Sequence, residues 1–431
     1  MDTVKSLFFP RPNLLWNVVA INALLFAVIV FVMTGTSEGA ATLQGLSAEQ
    51  YLKRVAQSNP RLQISESEVE AAAARMKSAG LWDNPTIAYE REEVNDSGGS
   101  IPETYLTLEL PLEISGRRAF RVDSAERGVQ AAQADVEATR LTLLVDAMRV
   151  YLRAAAWRER LQIIQAARDD LARLRDSIKS RADAGDASGY DLTRIEVELS
   201  SLEDRVADAQ RETAKARLKM GMFLGRLGEP FEATDPLTTK HLAGPKVPEN
   251  NARSHPQLMA ARQRVAQYSL EREAAARGWV PYLTLSGGLK TSSFEGDTAS
   301  GYVAGIALTI PIFDFGQGEK AEANASLRRA RAREAHIALQ AGTNIAVAQE
   351  TFESALKQVR RFERDQLPRL QKLMGTAEIA YREGERPIFE LLDAYRMARE
   401  TRIRYVILKL NARLSEIDLM AALGRAPGEN Q

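Results

Sequence analysis

Cysteine is absent from all 431 residues, which removes disulfides, thiolate nucleophiles, Cys-based zinc sites and acylation at an N-terminal cysteine. Histidine is scarce. His241, His255 and His336 are the only three, and no two of them share a helix turn, so neither a metal site nor a cofactor is expected. Neither sign of charge is in excess, with 57 Lys plus Arg against 57 Asp plus Glu. The whole-chain charge therefore makes no case for nucleic acid or for a polybasic membrane anchor. A second long hydrophobic run is also lacking, because no segment after Met33 approaches the roughly eighteen apolar residues of a spanning helix. Any further crossing of a membrane would have to be made by β-structure. With 45% hydrophobic and 26% charged residues, the chain is nonetheless a folded protein, and neither disordered nor collagen-like.

The one apolar run lies at the start. Lys5 and Arg11 precede Val18 to Met33, which holds a single polar residue, Asn22, and small or polar residues follow from Gly35 to Ala41. Residues 1–41 read as a secretory signal with Gly39-Ala40-Ala41 as the cleavage site. An uncleaved anchor is the other reading.

Beyond that segment the helix breakers fall in register twice. Asn59-Pro60 matches His255-Pro256, and Pro85 matches Pro281, at an offset of 196. Pro111 and Gly116 match Pro311 and Gly316 at 200, and Gly185 and Gly225 match Gly384 and Gly424 at 199. Such spacing predicts two copies of one unit. The first spans 42–226 and the second 256–424, with a proline-rich connection over 227–255 and a tail over 425–431.

Each copy repeats one order of elements. In the first, Ser47 with Gln50 predicts a capping box, and Asn59-Pro60 opens an Ala- and Glu-rich helix to about Gly80. A β-hairpin is then expected over 86–110, pairing Thr86 to Glu92 with Thr104 to Leu110, and another over 282–310, pairing Tyr282 to Leu289 with Val303 to Ile310. The connecting loops would include Asp96-Ser-Gly-Gly and Glu295 to Gly301. Leu106, Leu108 and Leu110 alternate with Tyr105, Thr107 and Glu109, as Ile306, Leu308 and Ile310 do with Gly305, Ala307 and Thr309. Four strands of about nine residues cannot close a barrel, and span a membrane only if other copies complete the cylinder. A small soluble sheet is the alternative.

Gly116 to Asp183 and Gly316 to Glu383 contain almost no helix breakers and would each reach roughly 100 Å as helices. The return helix of the first copy carries a heptad seam from Leu192, Ile195, Leu199 and Leu202 to Thr213, Ala216, Met220 and Phe223. Leu391, Ala394, Ala398, Leu408, Ala412 and Leu419 continue it in the second. Antiparallel coiled-coil hairpins are expected over 116–225 and 316–424. Met220 and Met222 are expected in the packing, and Pro368 is expected to kink its helix.

The hairpin tips are the most informative stretches. In Tyr381-Arg-Glu-Gly-Glu-Arg-Pro-Ile-Phe-Glu-Leu-Leu-Asp393, Gly384 ends one helix and Pro387 opens the next. Glu390 and Asp393, three residues apart, then share one helix face beside Arg386 and Tyr381. Taken alone, this cluster reads as a solvated helix end, and it is the recurrence of the same turn in both copies that argues otherwise.

A signal segment, two copies of helix, β-hairpin, very long helix, glycine turn and return helix, the tip pattern Tyr381 to Ala394 and the ending Leu419 to Gly424 together resemble the TolC family of outer-membrane efflux channels. Leu110 to Arg118 is similar to the CzcC-like heavy-metal efflux branch. The resemblance implies an α+β membrane protein: a homotrimer with a twelve-stranded β-barrel in outer-membrane lipid, four strands from each protomer, continued by a coiled-coil barrel in the periplasm. It further implies a passive duct, not an enzyme, that receives substrate, heavy-metal cations among the candidates, from an inner-membrane transporter through a periplasmic adaptor. The adaptor would meet the tips at Gly185, Ser188, Leu192, Gly384 and Pro387. Asp191 would face Arg386 across a protomer boundary, with Tyr381 as a further donor, and Glu390 and Asp393 would form acidic rings at the constriction. A type I secretion or drug-efflux duct shares this architecture, and a secreted coiled-coil scaffold would account for the heptads alone.

Overall fold

The computed structural model describes residues 43–96, 99–185, 188–239, 242, 254–294 and 297–428. The N-terminal apolar run and His241 lie outside them. Thirteen elements follow in chain order: β1 (Gln44–Leu46), α1 (Ala48–Ser58), α2 (Pro60–Ala79), β2 (Thr86–Asp96), β3 (Gly99–Leu112), α3 (Arg117–Asp183), α4 (Gly189–Phe223), β4 (Phe231–Ala233), α5 (Pro256–Ala275), β5 (Tyr282–Phe294), β6 (Asp297–Thr309), α6 (Gln317–Arg382) and α7 (Ile388–Ala422). The succession helix, two strands, long helix, shorter helix occurs twice, as α2-β2-β3-α3-α4 and α5-β5-β6-α6-α7.

Local chemistry sets these boundaries. Ser47 and Gln50 form the reciprocal capping box at α1, and the Asn59 carboxamide accepts the Arg61 N–H at 3.0 Å where Pro60 opens α2. The long helices start from left-handed glycines, Gly116 at φ 68° and Gly316 at φ 79°. They run 67 and 66 residues, roughly 100 Å each at 1.5 Å per residue. Helix α6 continues through Pro368.

Near the strands, the long helices pack with α2 and α5, in the order α2, α3, α5, α6. Farther along they pack with the return helices, α4 on α3, and α7 on both α6 and α3. The expected seam residues Ile195, Leu199, Leu202, Ala209 and Ala216 are buried, as are Leu391, Ala394, Ala398, Ala412 and Leu419. Of the two methionines, Met220 is fully buried, whereas Met222 is exposed and takes no part in the core. It is displaced by two residues, more than half a turn, from the seam.

The connection between the halves has more structure than its prolines suggest. Strand β4 pairs with β1, and Phe231, Ala233, Leu237 and Leu242 are buried. Tyr151 at the middle of α3 ties this knot, its hydroxyl donating to the Leu46 carbonyl at 3.0 Å and accepting from the Asp235 N–H at 3.1 Å. Three-residue strands are too short for alternation to reveal.

Strands β2 to β6, β4 excepted, form one antiparallel sheet in the order β2-β3-β5-β6. Each strand is longer than its alternating segment, and residues expected in loops belong to strands: β3 starts at Gly99 and β6 at Asp297. Residues 97–98 and 295–296, between the paired strands, lie outside the described residues. Pro102 and Pro111 are tolerated in β3 because each has a neighbouring strand on one side only. Pro102 pairs with Glu93 of β2 beyond the end of the β5 register, and Pro111 with Thr284 of β5 beyond the end of the β2 register. A missing N–H costs least there.

Register sorts the side chains into two faces, since directly paired residues share a face. One face carries the rows Tyr89-Leu106-Leu289-Tyr302, Ile87-Leu108-Gly287-Ala304, Leu110-Leu285-Ile306 and Leu112-Leu283-Leu308. These rows make an apolar band about 20 Å tall at 3.4 Å per residue. The other face carries Glu90, Glu92, Glu103, Tyr105, Glu109 and Lys290 among small residues. The apolar face is bare: Tyr302 is 87% exposed and Ile306 76%. At its helical end stand exposed Trp82, Trp279 and Phe313. Among the described residues no helix is long and apolar enough to cross a membrane.

Candidate functional site: the helical tips

Both long helices reverse at a left-handed glycine, Gly185 at φ 83° and Gly384 at φ 77°. No atom lies within 4 Å of a Cβ built on either, so backbone conformation and not crowding requires glycine. At the second tip the Glu385 N–H bonds the Ala380 carbonyl at 2.9 Å and the Gly384 N–H bonds that of Tyr381 at 3.1 Å, the Schellman arrangement. Pro387 then leads extended into α7. At the first tip Ser188 caps α4, its hydroxyl accepting the Tyr190 N–H at 3.1 Å.

The site residues fall into two groups. Arg386 pairs with Glu390 one turn on, at 3.4 Å, both at least partly exposed. These two, with the exposed Asp393, line one groove between α4, α6 and α7, of about 930 Å³. Its apolar wall includes exposed Tyr190, Val197, Phe389 and Met397. Arg194 bridges the wall, donating to the Tyr190 hydroxyl at 2.9 Å with its guanidinium 5.9 Å from the Phe389 ring centre.

Tyr381 and Asp191 form the second group. Tyr381 is half-buried on the last turn of α6, with Arg181 of α3 6.0 Å from its ring centre. Burial pushes its phenol pKa up, Arg181 pulls it down, and the nearby Asp191 carboxylate pushes it up again. Three helices thus converge on one phenol. Within the chain no hydrogen bond joins Tyr381 to Asp191, and the ion-pair partner of Arg386 is Glu390. Leu192 and Tyr381 pack on a core shared by α3, α4 and α7, which includes Ile178, Ile195, Ile388 and Leu391.

The heptad reading did not single out a second, charged stripe on α7. Arg399, Lys409 and Glu416 are buried there, each one residue past a seam position. Lys409 pairs with Glu159 of α3, and Arg396 with Glu198 of α4 at 2.9 Å. Tyr395 and Tyr405 donate to Glu378 and Glu363 of α6, the first at 3.1 Å. A charge recurring beside the seam was the legible signal that α7 has two neighbours. Among the described residues, no group of three or more His, Asp or Glu is placed to hold a metal ion.

Comparison with known proteins places this geometry. A family model described as outer membrane efflux protein matches residues 51–226 and again 247–425. The cobalt-zinc-cadmium resistance protein CzcC of Cupriavidus metallidurans is 24% identical over 372 residues, covering 84% of this chain and 86% of that protein. Outer membrane protein OprJ of Pseudomonas aeruginosa is 25% identical, covering 83% and 79%. Among solved structures, the Campylobacter jejuni CmeC outer membrane channel superposes with a TM-score of 0.74 at 16% identity, over 88% of this chain and 85% of that one.

Proposed function

The chain belongs to the outer membrane efflux protein family, and from that premise we propose that it is the exit duct of a tripartite efflux pump, working as a homotrimer. The observation that carries this is the sheet, apolar and bare on one face, polar on the other, and open at both edges. Free edges and a bare apolar band are costly in water. Three copies joined β6 to β2 would close twelve strands, turn the apolar rows to outer-membrane lipid and enclose the acidic face. The aromatic side chains below the band would sit at the membrane interface.

The long helices would then extend into the periplasm as a tunnel, built from two copies of one structural unit, with residues 1–41 as the export signal. The tips would be its inner mouth, met by a periplasmic adaptor that carries substrate from an inner-membrane transporter. The adaptor would contact Gly185, Ser188, Leu192, Gly384 and Pro387. Conduction needs no catalytic step and no cofactor. Divalent metal cations are the cargo best suited to this wall, given Glu90, Glu92, Glu103 and Glu109 on the polar strand face, Glu390 and Asp393 in the tip groove, and the similarity to a cobalt-zinc-cadmium resistance protein.

Closure at the tips would rest on Arg386 and Tyr381 meeting Asp191 of a neighbouring protomer. Partly exposed ion pairs contribute about 1 kcal/mol or less each, weak enough for a docking adaptor to override. Single-channel conductance in planar bilayers tests this. Arg386→Ser with Tyr381→Phe should raise the conductance, and Glu390→Ala with Asp393→Ala should weaken cation selectivity and divalent block. Unchanged conductance and selectivity in both double variants would move the constriction elsewhere.

A further inference from the structure

Arg399 is only 5% exposed, yet its Nε and Nη2 atoms are buried without a hydrogen-bond partner. Its nearest acid, Glu198, stands 3.7 Å from Nη1 and already accepts from Arg396 at 2.9 Å. Leaving two guanidinium nitrogens buried and unpaired is costly, and native structures rarely do so without an occupant.

Arg399 lines a cavity of about 210 Å³ between α3, α4 and α7, together with Arg160 and Arg205. The Arg160 guanidinium stacks on the Trp157 ring at 4.1 Å, and its Nε is likewise buried and unpartnered. Two acids share the wall, but Asp208 is held by Arg211 and Glu212 by Lys215. Glu400, next to Arg399 along α7, is exposed. Burial pulls the Arg399 pKa down, and repulsion from Arg205 adds to that. Ile164, Ala209 and Ile403 supply the apolar part of the wall.

We propose that this cavity is an anion site, taking the oxyanion head of a carboxylate or phosphate group on the free Nε–Nη2 fork of Arg399, with the unpartnered Nε of Arg160 beside it and Arg205 as the outer charge. Planar guanidinium forks match such groups in a bidentate manner. The volume admits one together with several waters at about 30 Å³ each. The oxyanion has two available sources, a free anion or an acidic side chain from a second copy of the chain. The site concerns the helical wall and is independent of what the duct carries.

The test is binding of inorganic phosphate to the detergent-extracted full-length protein by titration calorimetry, at constant ionic strength made up with chloride. Saturable binding is expected, weakened roughly tenfold to hundredfold in Arg399→Gln, as loss of a charged hydrogen bond implies. Arg205→Ala, at an exposed position, should fold normally and weaken binding less. If phosphate does not bind, but Arg399→Gln lowers the temperature at which the oligomer dissociates and Arg399→Lys restores it, a carboxylate of a second copy fills the site. Phosphate binding that is indifferent to both arginines overturns the proposal. So does an absence of binding with an unchanged dissociation temperature.

Discussion

Helices α4 and α7 are both 35 residues long and both fold back along a helix about twice their length, yet they bury different chemistry. Helix α4 buries Ile195, Leu199, Leu202, Ala209, Ala216 and Met220. Its one buried hydroxyl, on Thr213, is satisfied by the Ala209 carbonyl at 2.8 Å. Helix α7 keeps an apolar seam but buries Arg399, Lys409, Ser415 and Glu416 as well. The difference follows from the number of neighbours. A helix packed chiefly along one long helix hides an apolar stripe, whereas one wedged between two needs a wider face. Here the added width is charged: Lys409 pairs with Glu159 of α3, Glu416 with Arg413 of α7 itself, and Arg399 lies 3.7 Å from Glu198 of α4. Ion pairs of this kind add little net stability.

Ile195→Ala should produce the largest effect. It truncates a fully buried side chain in the α4 seam and should destabilise by about 2–5 kcal/mol, measured as the loss of helical circular dichroism on heating in detergent. A shift near zero would erase the contrast between the hairpins. Lys409→Met should cost less, about 1–3 kcal/mol, because it strands the partly buried Glu159 carboxylate. Adding Glu159→Gln should recover most of that loss. If the double variant is no better than the single one, the charged stripe acts through packing and not through pairing.

The smallest effect is a pH slope at the first turns of α2 and α5. Asn59 caps α2 and also donates to the Phe223 carbonyl at 2.9 Å. Its counterpart His255 makes no cap bond and has Nδ1 buried without a partner. Burial pulls the imidazole pKa below its ordinary 6.5, against the opposing pull of a hydrogen bond to the Ala421 carbonyl. The folded state then binds fewer protons than the unfolded one. Stability is therefore full above 6.5 and is lost as pH falls through the lowered value. Thermal unfolding from about pH 7 down to about pH 5 should show this decline, and His255→Asn should flatten it. An identical slope in the variant would assign the decline to other groups.

The contrast between the hairpins also marks what the sequence could and could not disclose. Glycine and proline punctuation was legible because Gly185, Gly384, Gly225 and Gly424 all adopt left-handed conformations that few other residues tolerate. Strand facing was legible from alternation. Strand ends were not, since Asp297 to Gly301 resemble a loop in composition and become strand only through pairing with Lys290 to Phe294. The β1-β4 pair was too short to show a period. At the tips, the spacing of Arg386, Glu390 and Asp393 placed them on one helix face, but the pairing of Arg386 with Glu390 was not read from it. The meeting of Tyr381 with Arg181 and Asp191 depends on how three helices converge, and no local pattern encodes that.

The central claim is that three copies of this chain close one barrel in the outer membrane. The most direct measurement is the native mass of the species extracted by detergent from the outer-membrane fraction. A single species of three chains, its apolar strand face released only with detergent, is the expected result. A monomer recovered from the soluble periplasmic fraction, with its sheet edges still free, would contradict it.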